Sequence, residues 1–83
     1  MDEPVTVEAR LTPDGQLEPR VFVWRGHRHT VASTGRRWQE AEGRHILVMT
    51  PDQHVFELVY LRDEHAWRMR GAAAGPHSRV PRV

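Results

Sequence analysis

Residues 55–61 read Val55-Phe56-Glu57-Leu58-Val59-Tyr60-Leu61. At a strand's period of two, Phe56, Leu58 and Tyr60 share one face, while Val59 and Leu61 share the other. Both faces are therefore apolar. Two further stretches have the same property: Val21-Phe22-Val23-Trp24, and Ile46-Leu47-Val48-Met49 within a strand running from His45 to Thr50. Turn chemistry bounds them, which suits strands covered on both sides; for Val21–Trp24 an exposed aromatic row is the alternative.

Working outward, Val5, Val7, Ala9 and Leu11 alternate with Thr6, Glu8 and Arg10, so a first strand has one inward face. Thr12-Pro13-Asp14-Gly15 ends it with a turn: proline presets φ and glycine tolerates a positive φ. Gly26 ends the second strand, and His27 to Ser33 reads as the third. Thr34 to Gly43 reads as the polar loop of the molecule, with room for one helical turn around Trp38 to Ala41. Pro51-Asp52-Gln53-His54 and Arg62-Asp63-Glu64-His65 are turns, and Ala66 to Arg70 gives a last short strand with Trp67 and Met69 on one face.

Six strands closely spaced along the chain predict an all-β antiparallel meander. A flat sheet this small cannot cover its own apolar face, so a small barrel or half-barrel is expected. Residues 1–70 form that single domain. From Gly71 the periodicity stops, two prolines follow, and residues 71–83 read as a disordered, mildly basic tail.

The run Phe22-Val23-Trp24-Arg25-Gly26-His27-Arg28, then Arg37-Trp38-Gln39-Glu40, Val55-Phe56-Glu57-Leu58 and Trp67-Arg68-Met69 resembles a small bacterial all-β domain of unknown function. A similar segment ends the catalytically inactive Y-family polymerase homologues of bacterial mutasomes. The resemblance spans about residues 5–70. It implies a DNA-repair or DNA-metabolism setting and supplies no mechanism.

Eighty-three residues without cysteine exclude two domains and a disulfide scaffold. A chain of this length buries only about 60% of its unfolded surface, so a metal, a partner or a second copy is a plausible supplement. No apolar run approaches the roughly 20 residues of a membrane helix, and the acidic start Met1-Asp2-Glu3-Pro4 lacks a signal peptide's basic region. The expectation is a soluble, cytoplasmic protein.

Catalysis is not expected. Ser33 and Ser78 are the only serines, and no nucleophile elbow or glycine-rich phosphate loop is present. No cofactor and no small-molecule substrate are evident. His27 and His29 lie two apart on one side of a strand and could share an ion with His45, His54 or Glu40; a lone H-x-H pair is weak, and no metal site is assigned on it.

The charge is blocked along the chain: residues 1–19 sum to −4, residues 20–45 to +4, residues 46–67 to −3 and residues 68–83 to +4. Every basic residue is arginine, whose planar fork grips phosphate and stacks on rings. Arg25, Arg28, Arg36, Arg37 and Arg44 surround Trp24 and Trp38, and Arg68 and Arg70 lie on the outward face of the last strand. With Trp38 as a stacking residue, this set could bind single-stranded DNA or RNA. The same arginines could instead form a solvated face paired with Glu40, Glu42 and the acidic first segment.

Val21, Val23, Leu47, Met49, Val59 and Leu61 stand opposite the core sets Phe22/Trp24, Ile46/Val48 and Phe56/Leu58/Tyr60. A barrel exterior is normally polar, so this second apolar face favours a protein partner, a homodimer or a covering loop. The leading expectation is a non-enzymatic, self-associating interaction module; single-strand nucleic-acid binding is the alternative.

Overall fold

The computed structural model describes residues 3–73. Seven antiparallel strands form one sheet: β1 (Glu3–Leu11), β2 (Leu17–Trp24), β3 (His27–Thr30), β4 (Ser33–Gln39), β5 (Gly43–Met49), β6 (Val55–Leu61) and β7 (Ala66–Ala73). Their order is β3-β2-β1-β7-β6-β5-β4, so the first and last strands pair at the centre and β3 and β4 form the two edges. The sheet curls into the expected half-barrel. No helix long and apolar enough to cross a membrane is found among the described residues.

Two expectations are corrected. Thr34 to Gln39 is not a loop with a helical turn but most of edge strand β4. Its polar composition hid it: an edge strand is only partly covered, and a bulge between Thr34 and Arg37 breaks the alternation. The last strand also runs beyond Arg70 to Ala73, because a register shift beside Glu57 lets β6 keep pairing with Gly71, Ala72 and Ala73. The rest of the expected tail, residues 74–83, lies outside the described residues.

The concave face holds the core: Val5, Phe22, Ile46, Val48, Phe56, Leu58 and Met69, with Val7, Trp24, Val31 and Trp67 packed against them. Phe22 meets Phe56 edge-on at 5.1 Å between centroids, and the His29 ring stacks on Phe22 at 4.9 Å. These geometries add to the area buried.

Three hairpin turns share one design. The amide of Gly15 bonds to the Thr12 carbonyl, that of Gln53 to Thr50, and that of His65 to Arg62. In each, the fourth residue adopts a positive φ: 85° at Gly15, 67° at Gln53 and 50° at His65. The β2–β3 hairpin instead turns on the pair Arg25-Gly26, at φ 52° and 77°, the left-handed conformation that a two-residue hairpin requires.

Candidate binding surface on the concave face

The register places Gln39 opposite Arg44, Arg44 opposite Tyr60 and Tyr60 opposite Trp67. These four residues form one row across β4, β5, β6 and β7 on the concave side. Beside it, Arg37 pairs with Ile46 and so points to the same side. Its guanidinium donates to the Leu17 carbonyl at 2.6 Å, tying edge strand β4 to the start of β2 where no ladder joins them. A pocket of about 360 Å³ opens here, walled by Arg37, Gln39, Arg44 and Trp67 and roofed by the β1–β2 turn at Asp14 to Leu17.

The pocket's chemistry is cationic and aromatic. Arg44 is exposed, and no hydrogen bond or ion pair holds it among the described residues. Tyr60 and Trp67 pack at 5.2 Å between centroids and are only half-buried, so part of each ring remains open. The single acid on the rim is Asp14. The Thr12 hydroxyl donates to its carboxylate, its own backbone amide adds a second bond and Arg37 attracts it more weakly; these hold its pKa below the usual carboxylate value.

Four of the other predicted arginines are matched to acids. Arg25 grips Glu3 with two bonds of 2.9 and 3.0 Å and lies over the Trp24 ring at 4.5 Å. Arg28 pairs with Glu8 at 2.9 Å, Arg68 with Glu64 at 3.7 Å, and Arg70 with Glu42 through bonds of 2.6 and 3.0 Å. The acidic first segment thus meets the first half of the basic block, as the paired-face reading expected.

Arg37 does not act with Arg36 and Trp38. Trp38 pairs with His45 on the convex side and stacks on its ring at 5.0 Å, with Arg36 over the indole at 5.3 Å. Arg37 faces the concave side. The alternation of a strand separates adjacent side chains, which a polar loop would not do.

The second apolar face is covered in part within one molecule. Val59 is 0% and Leu47 7% exposed, while Val21, Val23, Met49 and Leu61 are half-buried. Leu11, at 67%, is the one exposed large apolar residue among those described. His27 and His29 do stand on one strand, β3, but His29 is occupied with Phe22, and no third ligand among the described residues joins the pair.

Comparison with known protein families, with curated proteins and with solved structures finds no match to this chain.

Proposed function

We propose that this chain is a non-catalytic small β-barrel interaction module whose concave row Gln39-Arg44-Tyr60-Trp67, with Arg37, receives a single nucleic-acid strand. The observation that carries it is the side-by-side register of an unpaired guanidinium and two half-open rings on one concave surface. Guanidinium groups neutralise phosphates, and aromatic faces stack on bases without reading sequence. The DNA-metabolism setting implied by the sequence resemblance agrees with such a ligand.

The test is anisotropy of a labelled single-stranded oligonucleotide against the full chain at several salt concentrations. Affinity should fall as salt rises. Arg37→Ala and Arg44→Ala should each lower the logarithmic salt slope by about 0.7, the single-strand value per phosphate contact, while Arg10→Ala should leave it unchanged. No binding at low salt, or binding indifferent to both substitutions, would reject this reading.

A second reading, pairing with a protein strand or another copy, is favoured by edge strand β4, whose outer side carries no ladder partner among the described residues. Such a complex would tolerate salt and would appear in light scattering as a mass that rises with concentration.

A further inference from the structure

The turn joining β4 to β5 brings two acids over a buried histidine. Reciprocal bonds between Glu40 and Gly43 close this turn, of 2.9 and 3.2 Å, so Glu40, Glu42 and His45 converge on the convex side. The His45 side chain is 1% exposed. Its Nε2 lies 3.5 Å from Glu40 Oε1 and 3.4 Å from Glu42 Oε1, yet it is buried without a hydrogen-bond partner. A proton on it would have to bridge gaps beyond the roughly 2.7–3.2 Å of a normal N–H···O bond.

The other ring nitrogen is engaged. Nδ1 lies 2.9 Å from Glu57 Oε2; with its proton donated there, the Nε2 lone pair is turned toward the two carboxylates. Three lone-pair atoms then lie within 4.8 Å of one another. We infer that Glu40, Glu42 and His45 form a binding site for a divalent transition-metal ion of the zinc class.

The spacing suits such an ion. Metal–ligand bonds of about 2.0–2.2 Å place neighbouring ligand atoms roughly 3.0–3.5 Å apart, the range of the two His45 distances. Two carboxylates and a neutral imidazole supply oxygen and nitrogen donors; Arg70 is paired with Glu42, so Glu40 brings the uncompensated negative charge. An imidazole nitrogen selects zinc, cobalt or nickel over magnesium and calcium, which prefer oxygen alone.

Each ligand also has an outer partner, the arrangement that orients metal-binding side chains. Glu57 accepts the Nδ1 proton in the metal-binding tautomer of His45, the Trp38 indole donates to Glu40 Oε2 at 3.1 Å, and Arg70 holds Glu42. Trp38 stacks over the imidazole and walls one side. The carboxylates remain open to solvent, Glu40 at 52% and Glu42 at 39%, so an ion could enter and keep water in its remaining positions. Bound there, it would fasten the β4–β5 hairpin at the sheet edge and stabilise a chain with little core.

The test uses the full chain without a histidine tag, with zinc as the probe and magnesium as the control. Calorimetry should show one zinc per chain, and a heteronuclear spectrum should show the His45 Nε2 resonance moving while those of His27 and His29 stay. Glu40→Gln removes an exposed ligand without disturbing the buried imidazole, and should weaken zinc binding more than about tenfold with an unchanged circular dichroism spectrum. His27→Gln combined with His29→Gln should leave binding intact. A folded chain that takes up no zinc, unaltered affinity in both Glu40→Gln and Glu42→Gln, or movement at His27 and His29 instead of His45 would overturn the inference.

Discussion

Gly15 and Gln53 occupy the same place in two copies of one turn. Thr12-Pro13-Asp14-Gly15 and Thr50-Pro51-Asp52-Gln53 each put a threonine hydroxyl on the following aspartate and return the fourth amide to the threonine carbonyl at 2.9 Å. The fourth residue is left-handed in both, yet only one is glycine. A side chain in that conformation costs on the order of 1 kcal/mol, so Gln53→Gly should stabilise the protein by about 0.5–1 kcal/mol, and Gly15→Gln should destabilise it by a similar amount. Urea titration of both variants checks this; opposite signs at the two sites are expected.

Gly43 matters for a different reason. A Cβ added there would lie 1.9 Å from the Tyr60 carbonyl oxygen, and the obstacle is backbone of the neighbouring strand, which cannot rotate away. Gly43→Ala should therefore push β5 off β6 and cost about 1–3 kcal/mol, the range of overpacked interiors. Thermal denaturation measures the loss. Gly71→Ala, where a Cβ meets nothing within 4 Å, serves as the mild control.

The two threonine turns also set an acid limit. The Thr12 hydroxyl bond is the largest influence lowering the Asp14 pKa, and the Thr50 bond does the same for Asp52; the Arg25 hydrogen bond likewise holds Glu3 down. A carboxylate whose folded pKa lies below its unfolded value binds fewer protons in the native state. It contributes stability above the unfolded pKa and loses it as pH falls through the folded one. The melting temperature should thus decline in acid, below the ordinary carboxylate range. Thr12→Val and Thr50→Val should melt earlier than the parent at neutral pH and converge with it in acid. Parallel curves at every pH would show that the hydroxyls act by packing alone.

Much of the fold was legible because buried strands announce themselves. Val21–Trp24, Ile46–Met49 and Phe56–Leu61 are apolar on both faces, and the structure covers both faces of β5 and β6. Edge strand β4 was not legible, since Ser33–Gln39 carries no apolar alternation and owes its conformation to the neighbouring ladder with β5. The candidate sites followed the same division. Arg44 was marked by charge, but its alignment with Tyr60 and Trp67 depends on register across three strands, which no local pattern encodes. Glu40, Glu42 and His45 are close in sequence, yet their convergence needed the tight turn at Gly43; without it the segment reads as an ordinary polar loop.

Val59 decides whether the convex face is complete in one molecule. It is 0% exposed and stands in register between His45 on β5 and Arg68 on β7, on the side where an isolated barrel should be polar. Val59→Ala removes two methyl groups, each worth about 0.8 kcal/mol of transfer free energy, with a further cost for the cavity left behind. A loss of about 1.5–3 kcal/mol is therefore expected, comparable to truncation in the concave core. If the face is covered by the chain's own residues, parent and variant melting temperatures will both be independent of protein concentration. If a second copy completes the cover, both will rise with concentration, because association stabilises only the folded state. Melting curves over a wide concentration range, run beside light scattering, separate the two cases, and concentration-independent melting combined with the full loss at Val59 would remove this face from the surfaces open to a partner.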